Sequence, residues 1–293
     1  MKKLLVTGIS GFLGNCIAEI NQQNWSVIGV YNKNPVEHSN ITTIQADLGN
    51  NDALEKLFHT IRPDTVLHLA ALSDPNFCER NPEASLKINV NTSTKIARLC
   101  KQYTIPMIFT STDLVFEGTN APYDETTAPR PINLYGQHKL KAEQELLSIY
   151  PEVCIARLPV MFGLPDWGNS FMKSWVNALK ENKKVFAFTD EFRTKVSGSS
   201  AGEGLFLLLN KKVKGIWHLG GRESISRYDF AVKMAKVFKL PVELIQRSIQ
   251  ADVKMPAARP ADVSLDSSKA FALGYNPQSI QESLERIRNA ELR

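Results

Sequence analysis

VTGISGFLG, residues 6–14, lies between a short apolar run and a stretch with helical spacing, near the start of the chain. Its glycines, Gly8, Gly11 and Gly14, are spaced GxxGxxG. Between a strand and a helix, one glycine permits a tight turn, another lets a pyrophosphate approach the backbone, and the third lets helix and strand pack closely. The helix N-terminus then stabilises phosphate charge through free N–H groups and its dipole. The stretch therefore predicts the nucleotide-binding turn of an α/β domain.

Short apolar runs alternate with longer helical stretches over the first half of the chain. The strand-like runs are 3–8, 25–31, 65–71, 106–112 and 152–160. The helical stretches are 12–23, 52–61, 83–103 and the segment that opens near Tyr135. Strands rich in Val, Ile and Leu, separated by helices, indicate βαβ units. We therefore predict a doubly wound parallel sheet of the Rossmann type.

The pattern loosens after residue 163, which suggests a boundary there. We expect residues 1–163 to form the dinucleotide-binding domain. Residues 164–293 then form a smaller, partly interleaved substrate-binding region that closes one wall of a cleft. The segment 186–222 is expected to return partly to the sheet, because GIWHLGG (215–221) reads as another strand.

Composition excludes several classes of protein. Lysine and arginine number 35 against 30 acidic residues, a net charge of +5. Because no dense basic run accompanies that charge, binding to nucleic acid is not indicated. MKKLLVTG is too short for a signal peptide, and no stretch has the length of a membrane span, so we expect a cytoplasmic protein. The four cysteines and five histidines are dispersed, so we expect neither disulfides nor a metal site.

The ends of the second and third strands bear on the choice of cofactor. A carboxylate after the second strand would bond the 2′-hydroxyl of NAD, but Tyr31, Asn32 and Lys33 stand there. Lys33 could instead pair with a 2′-phosphate, which favours NADP(H) and leaves NAD(H) possible. The alternative is that Lys33 is a solvated loop residue. Asp47 and Leu48 follow the third strand, where the carboxylate could accept from an adenine amino group or cap a helix.

A phenol, an ammonium and a hydroxyl are predicted to converge beside the cofactor. Tyr135 and Lys139 are four residues apart, so they share one face of a helix. The positive charges of Lys139 and of an oxidised nicotinamide would favour the phenolate and lower the Tyr135 pKa from the usual value of about 10. Thr112 follows the strand 106–112, at the sheet edge where α/β proteins bind ligands. This set suits carbonyl reduction, in which Tyr135 gives a proton to oxygen.

These residues and several other stretches resemble one known family. The chain is similar to the extended short-chain dehydrogenase/reductases, and within them to the dTDP-4-dehydrorhamnose reductase branch. The resemblance covers nearly the whole chain. The matching stretches are TGISGFLG (7–14), HLAA (68–71), STDLVFEG (111–118), PINLYGQHKLKAE (131–143), RLPVMFG (157–163) and RPADVSLDSSKAFALGYNP (259–277).

The resemblance implies roles for residues at the matching positions. Thr112, Tyr135 and Lys139 would be catalytic, and Asn89 would support the lysine through water. The further cofactor-binding candidates are Ser10, Phe12, Leu13, Leu69, Ala70, Ala71, Thr110, Ser111, Arg157 and Pro159. The substrate-binding candidates are Ser73, Asp113, Val115, Phe116, Arg193 and Arg259.

The predicted function is an NADP(H)-dependent reductase of a nucleotide-linked 4-keto-6-deoxysugar, with a homodimer possible. Leu114 replaces the tyrosine usual in the branch, and His138 replaces a small residue, so the sugar itself stays open. One alternative is an epimerase or dehydratase on the same scaffold, although Leu114 stands where a dehydratase carries glutamate. The other is a non-catalytic NADP-binding subunit, like the regulatory subunit of methionine adenosyltransferase in the same branch.

Overall fold

A seven-stranded, wholly parallel sheet forms the centre of the protein. The computed structural model describes residues 1–20 and 24–291. The strands of the sheet are β1 (Lys2–Thr7), β2 (Trp25–Tyr31), β3 (Ile41–Gln45), β4 (Thr65–His68), β5 (Met107–Thr112), β6 (Cys154–Leu158) and β11 (Gly215–His218). Their order in the sheet is β11-β6-β5-β4-β1-β2-β3. The predicted fold class is confirmed.

The order of the strands locates the binding crevice. From β1 the chain runs outward through β2 and β3, then returns to β4 on the other side of β1 and runs outward again. Ligands of open α/β sheets bind outside the carboxyl ends of the strands at this reversal. The glycine turn after β1 and the polar segment after β5 both lie at that edge.

Helices cover both faces of the sheet. One face carries α1 (Phe12–Glu19), α8 (Gly198–Lys211) and α10 (Ser268–Leu273). The other carries α2 (Asn51–Ile61), α5 (Ser93–Gln102) and α6 (Leu134–Ile149). Side chains alternate along β1, so that Leu4 and Val6 enter the first core and Leu5 enters the second. Burial on both faces explains why the strands read as continuous apolar runs.

A second lobe has a core of its own. It contains α7 (Phe171–Lys180), α9 (Arg227–Phe238), α11 (Ile280–Glu291) and the strand pair β8 (Val185–Phe188) with β13 (Ile245–Ser248). Two shorter pairs lie near the cleft: β7 (Met161–Phe162) with β10 (Val196–Ser197), and β9 (Phe192–Arg193) with β12 (Ile225–Ser226). Single 3₁₀ turns occur at Asp113–Val115, Val242–Leu244 and Gln250–Asp252.

Two predicted helices differ from the structure. The first, predicted over 12–23, ends at Glu19, and residues 21–23 lie outside the described part of the chain. The helix predicted over 83–103 is three consecutive pieces after α3 (Pro75–Arg80): α4 (Pro82–Leu86), a π-helical turn (Lys87–Thr92) and α5. A π turn inserts one extra residue per turn, which hydrophobic spacing does not reveal.

The chain crosses between the two lobes more than once. The strand expected near 215–221 is β11, which pairs with β6 in the main sheet. Residues 268–275 also pack on the face covered by α1, through Ala270 and Tyr275. As a division into functional units, the boundary at residue 163 stays a prediction. No helix in the described residues is both long and apolar enough to cross a membrane.

Candidate active site

The carboxyl ends of the strands open into a cleft of about 1210 Å³ between the sheet and the second lobe. Most of the predicted site residues line it. They are Gly8, Ser10, Gly11, Phe12, Leu13, Gly14, Tyr31, Asn32, Lys33, Asp47, Leu48, Leu69, Ala70, Ala71, Ser73, Thr110, Ser111, Thr112, Asp113, Tyr135, Lys139, Pro159, Arg193 and Arg259. Asn89, Val115, Phe116 and Arg157 are not among the lining residues.

The glycine turn presents backbone to the cleft. Gly8 has φ +73°, and a Cβ there would lie 2.7 Å from Ala70 Cα on the neighbouring β4 segment. No side chain caps the N-terminus of α1, and no acidic residue occupies its first turn. Exposed N–H groups at a helix start attract anions. In the same cleft, the buried Ser111 hydroxyl lacks a hydrogen-bond partner among the described residues. The cradle therefore fits a dinucleotide phosphate.

The adenosine end of the cleft lacks a carboxylate at the end of β2. Tyr31, Asn32 and Lys33 line it, and Lys33 is exposed. After β3, Asp47 Oδ1 accepts a hydrogen bond from Gly49 N at 2.9 Å. The side chain that caps α2 is instead that of Asn50, which accepts from Ala53 N. The helix-cap alternative for Asp47 is therefore wrong, and its contact with adenine stays a prediction.

A buried hydrogen-bond chain holds the cleft wall after β4. Thr7 Oγ1 accepts from the N–H groups of Leu69 and Ala70, both at 3.2 Å, so its proton points to His68 Nδ1 at 2.6 Å. His68 Nε2 then donates to Ser93 Oγ at 2.9 Å. Burial, and next the charge of Lys139, lower the pKa of His68 to about 3. His68 is therefore neutral, in the Nε2–H tautomer, and ties β1 and β4 to α5.

Helix α6 carries the predicted proton-transfer pair. Asn133 caps its start: Oδ1 accepts from Gly136 N at 2.9 Å, while Nδ2 donates to Ala258 O at 3.0 Å. Tyr135 and Lys139 lie on the buried face of the helix, 7% and 2% exposed, and both line the cleft. Thr112 ends β5 beside them. The structure therefore brings the three predicted catalytic side chains to one place.

The protonation states differ from the prediction. Burial, and next the negative charge of Asp113, raise the pKa of the Tyr135 phenol above its usual value, and the Thr112 hydroxyl only partly offsets this. Burial also lowers the pKa of Lys139 to about 7, against the opposing effect of Glu143. The expected lowering of the Tyr135 pKa rested on the charges of Lys139 and of an oxidised nicotinamide. Without the cofactor, burial and Asp113 raise the pKa instead.

Asp113 and Arg193 form a buried ion pair at the cleft, next to Thr112. Arg193 Nε lies 3.5 Å from Asp113 Oδ2, and its other nitrogens donate to the carbonyl oxygens of Phe192, Ala261 and Pro260. Burial raises the pKa of Asp113 to about 6, although the charge of Arg193 opposes this. Most N–H groups of Arg193 thus bind the protein, but Arg193 also lines the cleft, so its contact with a substrate stays a prediction.

Three other candidates have interior roles. Asn89 exchanges hydrogen bonds with the backbone of Leu72, through Oδ1 at 2.9 Å and Nδ2 at 3.0 Å, and so shapes the cleft wall from behind. Val115 and Phe116 are fully buried in a small cluster with Val263. Their assignment to the substrate is therefore wrong, because the turn after Asp113 directs them inward. Sequence alignment to a motif places residues along the chain but not on a face.

Arg157 is the fourth residue outside the cleft. It is 1% exposed and belongs to β6, and its guanidinium binds Glu143 of α6. Its assignment to the cofactor is therefore wrong as a direct contact. The neighbouring Pro159 does line the cleft, because the strand ends between the two residues.

Comparisons with known proteins agree with this architecture. The family model "RmlD substrate binding domain" matches residues 1–292. The chain belongs to this family. The predicted resemblance to the dTDP-4-dehydrorhamnose reductase branch is thereby confirmed.

Members of the RmlD family and proteins of similar fold carry different names. The "Methionine adenosyltransferase 2 subunit beta" of Rattus norvegicus is 30% identical over 97% of this chain and 87% of its own. The "Probable low-salt glycan biosynthesis reductase" of Haloferax volcanii is 30% identical over 97% of both chains. The structure of a dTDP-4-dehydrorhamnose reductase from Bacillus anthracis, in complex with NADP, superposes with a TM-score of 0.88 at 23% identity over 99% of both chains.

The far wall of the cleft contains residues that the sequence did not indicate. Arg227, at the start of α9, lies 5.1 Å over the rings of both Phe171 and Trp175 and 3.4 Å from Glu191. Other unpredicted lining residues of this lobe are Asn169, Phe186, Phe188 and Met255. An exposed aromatic side chain such as Phe186, at 65%, is a usable signal only after the fold is known.

Lys139 should reduce the stability of the folded protein at neutral pH. Its pKa falls from 10.5 to about 7 on folding, so its burial costs no stability above the unfolded value, and the cost grows as pH falls towards 7. We expect Lys139→Met to raise the free energy of unfolding at pH 7 by roughly 2–4 kcal/mol, measured by urea denaturation. The advantage should shrink between pH 7 and pH 10.

The matched control is Lys141→Met on the same helix. The Lys141 side chain is 54% exposed, so its loss should change the free energy of unfolding by less than about 0.5 kcal/mol. Equal stability of Lys139→Met and the native protein at pH 7 would contradict the predicted cost of the buried lysine.

Proposed function

We propose that this protein is an NADP(H)-dependent reductase of a carbonyl group on a nucleotide-linked sugar, as the branch name suggests. The observation that carries the proposal is the convergence of Tyr135, Lys139 and Thr112 in one cleft with an uncapped glycine turn. The names of the Haloferax volcanii relative and of the Bacillus anthracis structure support a reductase.

The residues of the chain divide the work of reduction. A bound nicotinamide would supply the hydride. Tyr135, whose raised pKa keeps it protonated at neutral pH, gives its proton to the carbonyl oxygen. Lys139 in its charged form stabilises the phenolate that this leaves. The Thr112 hydroxyl donates to Asp113 Oδ1 at 3.1 Å in the cofactor-free protein, and it would turn from Asp113 to donate to the same carbonyl oxygen.

The far wall of the cleft suits the nucleotide part of such a substrate. Arg259 lines the cleft and forms no ion pair within the described residues, so its charge is available to a phosphate. Arg227 adds a second, quarter-exposed cation over Trp175 and Phe171. Cations beside aromatic faces match the diphosphate and base of a sugar nucleotide. Of the two arginines predicted to bind the substrate, Arg193 and Arg259, Arg259 is thus the better phosphate ligand.

The direct test is consumption of NADPH and NADH with a panel of nucleotide-linked 4-keto-6-deoxysugars. We expect oxidation of NADPH that depends on both sugar and protein. Tight NADPH binding without turnover across the panel would overturn the proposal and favour a binding subunit, as the name of the Rattus norvegicus relative suggests. Sugar interconversion without net cofactor oxidation would favour an epimerase or dehydratase.

Lys33 should set the preference for NADPH. It is the cation at the end of β2, where a 2′-phosphate would lie. We expect Lys33→Ala to raise the Kd of NADPH by about fivefold to tenfold, the loss of about 1 kcal/mol, and to leave the Kd of NADH unchanged. Titration calorimetry with both cofactors measures this.

A matched variant tests whether the effect comes from a contact at Lys33 or from the loss of one positive charge anywhere on the protein. Lys56→Ala removes the same charge from an exposed position on α2 away from the cleft, and it should leave both Kd values unchanged. An equal effect of the two substitutions on NADPH would argue against a 2′-phosphate contact at Lys33.

The cytoplasmic location and the homodimer stay predictions from the sequence.

A further inference from the structure

Arg157 of β6 and Glu143 of α6, the helix that carries Tyr135 and Lys139, form a buried ion pair. Arg157 Nη2 lies 2.7 Å from Glu143 Oε2, and Arg157 Nε lies 3.1 Å from Oε1, so the pair is bidentate. Both side chains are 2% exposed. The Arg157 guanidinium also stacks 5.1 Å over Phe116, and its Nη1 lies 3.4 Å from His218 Nε2. Both carboxylate oxygens of Glu143 are thereby engaged.

Glu143 stands one helical turn after Lys139. Tyr135, Lys139 and Glu143 follow one another at intervals of four residues along the buried face of α6. Side chains at this spacing are neighbours, and an oppositely charged pair there normally attracts. The Lys139 ammonium could therefore turn to Glu143, towards the C-terminus of the helix, instead of to Tyr135, towards its N-terminus. In a buried site the preference for Glu143 would be strong, because a buried carboxylate without a cation is costly.

The Lys139 side chain does not bind Glu143. Its Nζ lies 3.8 Å from the centroid of the Phe109 ring on β5, and it makes no ion pair within 4.0 Å among the described residues. The side chain lines the cleft together with Tyr135. A lysine adjacent to a buried carboxylate that it does not bind requires another cation on that carboxylate. Arg157 is that cation.

We propose that Arg157 is a positioning residue that holds the Glu143 carboxylate, so that the Lys139 ammonium faces Tyr135 and the cleft rather than Glu143. The inference rests on the proposed role of Lys139 in proton transfer. It also gives a function to the buried pair, because such pairs contribute little net stability by themselves.

Few other ionisable groups reach Lys139. Within α6 they are Tyr135 and Glu143, and from β4 there is His68, which is neutral. The elements packed around them add Asp113 after β5, Cys78 of α3, Arg157 of β6 and His218 of β11. Because Glu143 is the one carboxylate that affects the Lys139 pKa in the described residues, release of Glu143 should dominate any change there.

The test is a titration of Lys139 by NMR in protein labelled with ¹³C at the lysine ε-carbons, without cofactor or substrate. Lys139→Gln identifies the signal. In Arg157→Met, Glu143 should capture Lys139, and the midpoint should rise by about 1 pH unit or more from the native value near 7. In the same variant, kcat should fall at least about tenfold, and the alkaline limb of its pH profile should move upward with the midpoint.

A double variant keeps the inference testable if Arg157→Met does not fold. Glu143→Gln with Arg157→Met removes both charges, and with no carboxylate to capture Lys139 the midpoint should not rise above the native one. A native midpoint in Arg157→Met, or a rise in the double variant as large as that in Arg157→Met, would overturn the inference. Because the titration needs no turnover, a shifted midpoint in an inactive protein would instead reject the proposed function alone.

Discussion

Replacement of Tyr135 by phenylalanine should reduce carbonyl reduction by about 10²- to 10⁴-fold, the usual contribution of a positioned proton donor. The substitution removes only the hydroxyl that donates the proton. Because burial already raises the pKa of this phenol, its hydroxyl is a desolvated polar group, and its loss should not lower stability. The measurement is kcat with NADPH and the best sugar nucleotide, together with the Kd of NADPH, which should change by less than about twofold.

Tyr150→Phe is the matched control. Tyr150 is buried to a similar degree, 8% exposed, and follows the last turn of the same helix. Tyr150 is not among the residues that line the cleft, so turnover in Tyr150→Phe should equal that of the native protein. Native turnover in Tyr135→Phe would remove the phenol from the mechanism. Loss of NADPH binding in the same variant would indicate a structural role for the hydroxyl instead.

Local physical rules account for what the sequence predicted correctly. The turn at Gly8–Gly14 can be recognised because a tight approach between backbone segments admits glycine alone. The strands are recognisable because both faces of the sheet are buried. The spacing of Tyr135 and Lys139 predicted a shared helix face, and the structure has it.

The wrong predictions concern the direction in which side chains point and the effect of burial on a pKa. Arg157, Val115 and Phe116 lie within one or two residues of cleft residues, yet they point inward. Side chains alternate between the two sides of a strand and are distributed around a 3₁₀ turn. The Tyr135 pKa was predicted from charge alone. The actual direction of the shift depends on burial, and next on Asp113 and Cys78, which other elements of the fold bring near the phenol. A short sequence motif encodes neither the direction of a side chain nor its burial in the folded protein.

Gly14→Ala should destabilise the protein by about 3 kcal/mol and abolish tight NADPH binding. At a helical position alanine is usually favoured over glycine by up to about 1 kcal/mol. Here a Cβ would overlap the carbonyl oxygen of Ile9 and lie 2.6 Å from its Cα. The overlap involves backbone on both sides, so relief requires α1 to move away from the turn after β1. That movement would displace the N–H groups that bind phosphate, and the NADPH Kd should rise at least about tenfold.

Gly11→Ala separates the two consequences. A Cβ at Gly11 meets only Gly8 O, at 3.3 Å, so the free energy of unfolding should fall by less than about 1 kcal/mol. Gly11 is nevertheless exposed at the start of α1, where the phosphate must approach, and NADPH binding should weaken. Urea denaturation and calorimetry on the two variants therefore distinguish packing from binding. A stable Gly14→Ala protein with native NADPH affinity would show that α1 can shift without cost, which the close contact with Ile9 argues against.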